Sequence, residues 1–207
     1  MKKRDAKASK EKIITNAKIL FSKKGFMATS MDELASMCDL NKAMVFYYFK
    51  NKQGLFEEVM KNVLEEIYKT IQRENTHYKK PIDELESFIR TYATFACSHP
   101  YLPALLLKEL SDSGAVVSDN LFSNMRQLFE LFSEILKRGE KKGCFKDVIP
   151  MILYFMIIGT LNLMITTKPL RIKAHDLSGV DTCSKCDIDE ISEYLVNKIK
   201  KMLKDEK

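Results

Sequence analysis

Glycine and proline are scarce in this 207-residue chain, at 7 and 5 residues. So few chain-turning residues exclude a collagen-like fold and most sandwiches and barrels, which need a turn after every short strand. Strand-type alternation is equally hard to find. No apolar stretch of leader length follows the basic start MKKRDAKASKEK, so a secretory signal is not expected. A glycine-rich phosphate loop, paired catalytic carboxylates and a nucleophile triad are all missing, which leaves an enzyme little to work with and predicts no cofactor. Five cysteines are an odd number for a disulfide framework. Without an export signal they are expected as reduced thiols in a cytoplasm. What is present is 45% hydrophobic and 30% charged residues, the make-up of a globular chain with one or two cores.

Helical periodicity runs from end to end. Ile13, Ala17, Leu20 and Phe21 share one helix face, with Ser9 as candidate N-cap and Gly25 as stop. Ser30 opens a second helix, and Glu33 three residues on completes a capping-box pattern. Asn41 caps a short third helix from about Lys42 to Phe49, with Val45 and Phe49 four apart and inward. A longer helix follows from about Gln53 to Glu74, then one from Pro81 to His99-Pro100, and a short one from Tyr101 to about Leu110. Residues 111–114 read as a loop. The helix from about Ser118 to Lys142 carries two apolar stripes, one through Phe122, Met125 and Phe129, the other through Leu121, Leu128 and Leu131. A further helix spans roughly Asp147 to Thr167, a loop runs from Lys168 to Cys186, and a last amphipathic helix carries Ile188, Ile191, Leu195 and Ile199.

Two features have competing readings. The 20 residues between Asp147 and Lys168 hold no charge. By length they qualify as a membrane span. Pro150, Gly159 and Asn162 within them instead fit a helix buried in a bundle or subunit interface, and no membrane partner is expected. Cys183-Ser-Lys-Cys186 is a CxxC pair, hence a candidate redox dithiol or half a zinc site. No second CxxC accompanies it and His175 is the only nearby ligand of another type, so plain loop cysteines and no metal site are expected.

Charge is distributed unevenly. Residues 1–52 hold 12 Lys+Arg against 5 Asp+Glu, and the remaining 155 residues hold 22 against 23. The whole basic excess lies in the first quarter, pointing to a polyanion-binding segment or to a solvated lysine-rich terminus. The helix pair 30–38 and 42–49 favours the first. Two short helices joined by a tight turn, with basic residues around the second, describe a helix-turn-helix. The second helix must fit a major groove about 12 Å wide. Lys42 stands at its start, where side chains reach base edges. Tyr47 and Tyr48 carry hydroxyls suited to phosphate, and Lys50 and Lys52 follow as phosphate clamps.

These residues form an ordered motif: Ala17, Leu20-Phe21, Lys24-Gly25-Phe26, Ala28-Thr29-Ser30-Met31 and Leu34-Ala35, then Leu40 through Ala43, Val45 through Lys52 and Leu55-Phe56. In this the stretch 13–56 resembles the DNA-binding domain of the TetR family, the tetracycline-repressor-like regulators. The family usually has Gly where Asp39 stands and Tyr where Phe46 stands. The resemblance implies an all-α chain with a three-helix DNA-binding domain over 1–52 and a helical effector-binding and dimerisation bundle over 53–207. It implies DNA contacts from Ser30, Asn41, Lys42, Ala43, Met44, Phe46, Tyr47, Tyr48 and Lys52. It further implies a cytoplasmic homodimer, paired through its last two helices, that leaves double-stranded operator DNA when a small hydrophobic effector binds. For that effector the bulky residues Phe88, Tyr92, Phe95, Met125, Phe129 and Phe155 are candidates, with Thr91 and Asn162 as polar orienters. A redox or metal sensor acting through Cys183 and Cys186 is the rival of a different class.

Overall fold

A computed structural model describes residues 3–111, 119–179, 183 and 186–204. Among these the chain is all helix: α1 (Lys3–Ala28), α2 (Met31–Met37), α3 (Lys42–Phe49), α4 (Lys52–Asn75), α5 (Pro81–Ser98), α6 (Tyr101–Ser111), α7 (Asp119–Lys141), α8 (Pro150–Thr166), α9 (Lys168–Ser178) and α10 (Ile188–Leu203). The loop expected over 111–114 lies, beyond Ser111, outside the described residues, as do Ser118 and the side chain of Leu121.

The N-terminal helices differ from expectation at their ends. α1 starts well before Ser9, which is therefore inside the helix and not its cap. Gly25 does break it, at φ 75°, a left-handed value open to glycine at no steric cost. Ser30 caps α2 by accepting from the Glu33 amide at 3.1 Å. The capping box is only half made, because the Glu33 carboxylate is taken by Lys24. α4 runs for 24 residues. Its inner face, Leu55, Phe56, Val59, Met60, Val63, Leu64, Ile67 and Ile71, is buried from the helix-turn-helix end to the far end.

In the bundle α5 packs on α4, α7 and α10. Phe88 meets Phe132 with ring centroids 5.2 Å apart, and the Tyr92 hydroxyl donates to Asn162 Oδ1 at 2.9 Å in full burial. Burial pushes that hydroxyl's pKa far up. α8 has 17 residues, burying Leu153, Ile157, Ile158, Leu161 and Asn162 while Ile152, Met156 and Leu163 stay exposed. Among the described residues no single helix is long and apolar enough to cross a membrane.

Two expectations about the C-terminal part need correction. The stretch 168–186 is not simply a loop: α9 occupies Lys168–Ser178, bent 65° from α8. Pro169 suits its first turn and Gly179, at φ 66°, its C-terminal cap. Of the α10 stripe, Ile191 and Ile199 are buried within the same chain and Ile188 and Leu195 are partly covered by its core. Cys183 and Cys186 are joined as a disulfide, while Cys38, Cys97 and Cys144 are free thiols.

α7 and the 142–149 connection meet at a point of no clearance. A Cβ on Gly139 would come within 1.9 Å of the buried Phe145 ring. Gly139→Ala is therefore expected to lower the unfolding free energy by about 1–3 kcal/mol. Urea titration should show an earlier midpoint at unchanged slope. An unchanged midpoint would mean that the ring swings aside freely.

Candidate nucleic-acid interface

The turn between α2 and α3 is built from backbone. The Leu40 amide donates to Ala35 O at 3.0 Å and the Asp39 amide to Ser36 O at 3.1 Å. Asp39 takes φ 50°, a left-handed conformation that aspartate tolerates better than most residues. Asn41 then caps α3, accepting from the Met44 amide at 2.8 Å. Val45 and Phe49 anchor α3 in the core. Its outer side presents Lys42, Ala43, Phe46 and Tyr47, with Met44 partly covered. Tyr47 is 80% exposed. Tyr48 is turned inward and half-buried, with its hydroxyl enclosed and without a hydrogen-bond partner. The phosphate contact expected of that hydroxyl is not available in this arrangement.

Two of the expected surface cations, Lys42 and Lys52, are already engaged, while Lys50 is exposed. Lys42 Nζ lies 2.8 Å from Asp32 Oδ2, across the mouth of the two-helix motif. Both side chains are more than half exposed, so the pair stabilises the fold little and yields readily to a phosphate or base. Lys52 Nζ donates to Met27 O at 3.0 Å and sits 4.5 Å from the Phe26 ring centroid. Desolvation there lowers its pKa. Phe26 in turn packs on Phe21 and Phe56, so Lys52 is held against the core that orients the motif. Asp32 was absent from the sequence-derived set. It lies ten residues before Lys42, on another helix, where no local spacing rule joins the two.

α3 is spliced to α4 with almost no slack. The Asn51 amide donates to Phe49 O, and the Asn51 side chain accepts from the Gly54 amide at 2.8 Å. A Cβ on Gly54 would stand 2.4 Å from that same Phe49 carbonyl oxygen. Lys50 between them takes φ 60°. α1 braces α4 further along through Lys10–Glu58 at 2.9 Å and Lys18–Glu66 at 3.3 Å.

The eight expected effector residues are not brought together. Tyr92, Asn162, Met125 and Phe155 line an internal cavity of about 60 Å³, shared with Leu64 of α4, Leu106 and Tyr154. Phe129 lies on an adjoining hollow of about 370 Å³ between α7 and α8, which again touches Met125, Tyr154 and Phe155. Phe88 is packed solidly in the core. Phe95 stacks on His99, and Thr91 and Phe95 border a separate shallow depression beside Arg90. Helical spacing reports which way a side chain faces but not which of several inward groups leaves a gap.

Comparison with known proteins decides what this architecture belongs to. Residues 13–59 match the bacterial regulatory proteins of the tetR family, and residues 81–202 match the tetracyclin repressor-like C-terminal domain. The chain belongs to the TetR family. It is a DNA-binding transcriptional regulator and not an enzyme. The probable HTH-type transcriptional regulator YttP of Bacillus subtilis is 28% identical over 137 residues, covering 65% of this chain and 66% of that protein. The HTH-type transcriptional repressor NicS of Pseudomonas putida is 26% identical over 162 residues, covering 75% of this chain and 74% of the relative. In fold, the regulator FadR from Bacillus subtilis in complex with stearoyl-CoA superposes with a TM-score of 0.75 at 16% identity, over 93% of this chain and 98% of that one. The TetR family regulator PfmR from Thermus thermophilus does so with a TM-score of 0.70 at 20% identity, over 93% of this chain and 99% of that one.

Within this TetR-type reader, Lys42 and Lys52 are expected to behave differently. Lys42→Ala should cost about 1–3 kcal/mol and relax discrimination at one base pair. Lys52→Ala should weaken binding to all sequences and reduce the salt slope by about 1. Asp32→Asn releases Lys42 and removes a negative charge from the interface, so it should tighten binding. Fluorescence anisotropy at several salt concentrations reads all three. A Lys52→Ala protein with unchanged slope would remove that residue from the phosphate contacts.

Proposed function

We propose that the protein is a homodimeric repressor in the cytoplasm whose hold on operator DNA is released by a small, mostly apolar ligand. In this reading residues 1–52 contact DNA and residues 53–207 receive the ligand and pair the subunits. The observation that carries it is the course of α4. Its first turn is locked to the DNA-reading helix at Phe49 and Gly54, and ten residues later Leu64 lines the cavity around Tyr92 and Asn162. That cavity, at about 60 Å³, is far below the several hundred Å³ of a typical ligand site. Occupation must move its walls, and one wall is the helix that carries the reader. The adjoining α7–α8 hollow, sharing Met125, Tyr154 and Phe155, offers the way in. A repressor role accords with NicS, a transcriptional repressor, and an apolar ligand moiety with the acyl chain of the stearoyl-CoA held by FadR.

The pairing surface is read from α8 and α10. Ile152, Met156 and Leu163 of α8 and Tyr194 of α10 are exposed apolar side chains on a chain whose own core is complete. A two-fold dimer covers them and sets two α3 helices on one face of DNA, about 34–36 Å apart for successive major grooves. Sedimentation is expected to give a dimer at micromolar concentration and a monomer for Leu163→Arg. A wild-type monomer would overturn the assignment.

Control is tested by titration with fatty acyl ligands, in the presence and absence of an operator selected from random DNA. A coupling of about 1–3 kcal/mol lowers operator affinity roughly 5- to 150-fold, and operator must weaken the ligand equally. Equal ligand affinity in both titrations, for a ligand that does bind, would exclude release by this route.

A further inference from the structure

The connection before α10 carries chemistry that DNA binding does not use. Cys183 and Cys186 are disulfide-bonded with their Cα atoms 5.1 Å apart, well within the span of that bond. Both line an open groove of about 720 Å³ together with Met164 of α8 and Ile191 and Tyr194 of α10. Arg171 of α9 ties the place together. Its guanidinium donates to the Cys183 carbonyl and, at 2.7 Å, to the Met164 carbonyl at the end of α8. Cys183 takes φ 53°, a left-handed conformation that a residue with a Cβ holds only when its surroundings impose it. The cross-link, the Arg171 contact and the Cys186 amide, which donates to the Cys183 carbonyl at 3.3 Å, all act on this residue. Opening the disulfide removes the covalent one and lets Cys183 shift the carbonyl on which the Arg171 contact depends.

Location adds the second strand of the argument. A regulator working on chromosomal DNA sits where thiols are kept reduced, and a disulfide in such a protein is transient, catalytic or redox-sensing more often than structural. The other cysteines offer no rival pair. Cys38 is buried, which raises its thiol pKa, and Cys97 and Cys144 are exposed free thiols.

We propose that Cys183 and Cys186 are a reversible dithiol–disulfide site, oxidised by low-molecular-weight disulfides and reduced by dithiols, that latches α9 and the start of α10 to the end of α8. Oxidation proceeds by exchange. One cysteine thiolate attacks a sulfur of the reagent disulfide, forming a mixed disulfide and expelling one thiolate. The second cysteine attacks the protein sulfur of that bond, closing Cys183–Cys186 and expelling the other thiolate. The protein loses two protons and two electrons, and the reagent disulfide becomes two thiols. The latch borders the exposed α8–α10 face, so the oxidised state holds that face in the form seen here and the reduced state loosens it. This effect on assembly rests on the dimer proposed above.

The test uses the full chain equilibrated in glutathione buffers from reducing to oxidising. Alkylation and mass analysis should show residues 183 and 186 changing together by the loss of two hydrogens, while the exposed Cys97 and Cys144 change only by gaining glutathione singly. Amide exchange over 168–178 should accelerate on reduction, and dimer dissociation should rise about five-fold or more. The Cys183→Ser/Cys186→Ser variant should behave as the reduced protein in every buffer. Two thiols that persist at the oxidising end would overturn the proposal, as would amide exchange independent of redox state. A chain monomeric in every buffer, whose 168–178 exchange still follows the buffer, supports the redox site and removes the dimer reading instead.

Discussion

The structure hangs on the seam between α3 and α4. A helix that reads DNA is useful to a regulator only if its direction is tied to something the rest of the protein can move. Here the tie is a backbone contact: the Phe49 carbonyl accepts from the Asn51 amide and stands where a Cβ on Gly54 would be, at 2.4 Å. Asn51 closes the seam by capping the new helix. No flexible linker separates reader from body. Val45 and Phe49 fix the rotation of α3, while Leu55 and Phe56 fix the start of α4 in the same core. Any tilt of α4 is delivered to Tyr47 and Lys42 as a displacement, with little lost in between.

From that constraint the division of surfaces follows. α1 braces the seam through two ion pairs to α4 and through Phe21 and Phe26, which pack with Phe56. Two surface cations are parked on internal partners, Lys42 on Asp32 and Lys52 on Met27 O. Parking keeps a basic surface compatible with a folded, DNA-free state at small cost, because exposed pairs are weak and salt-screened. In the proposed reading DNA exchanges one set of charge contacts for another. Midway along α4, the bundle leaves its small internal gap beside Leu64 and the Tyr92–Asn162 hydrogen bond. Burial favours keeping the Tyr92–Asn162 pair intact, since breaking it strands a donor and an acceptor.

Much of this was legible in the sequence, and the misses share a cause. Caps announce themselves locally, so Ser30, Asn41 and the α3 boundaries at Lys42 and Phe49 could be read from neighbours three or four residues away. The family motif over 13–56 gave the fold of the reader. α9 is bracketed by Pro169 and Gly179, but it buries none of its own residues and its apolar spacing is confined to Leu170, Ala174 and Leu177, too short a run to stand out from a loop. Periodicity shows that one face of α10 is apolar without showing that α5 covers it within the same chain. Asp32 with Lys42, and Leu64 with Tyr92 and Asn162, are meetings across elements. They depend on how helices cross, which no local pattern records. Only four of the eight effector candidates share one cavity, for the same reason: bulky residues facing inward mostly fill space, and only packing decides where space is left.

The central claim, that the state of the bundle sets the placement of the readers through α4, is tested most directly by overfilling the gap beside Leu64. Leu64→Phe adds volume to the cavity wall without touching the DNA-facing surface. Spin labels at residue 47 of both subunits report reader separation, and anisotropy reports operator affinity. The account predicts a folded dimer whose label separation departs from that of the wild-type sequence and whose operator affinity falls about five-fold or more. A folded dimer with unchanged separation and unchanged affinity would contradict it.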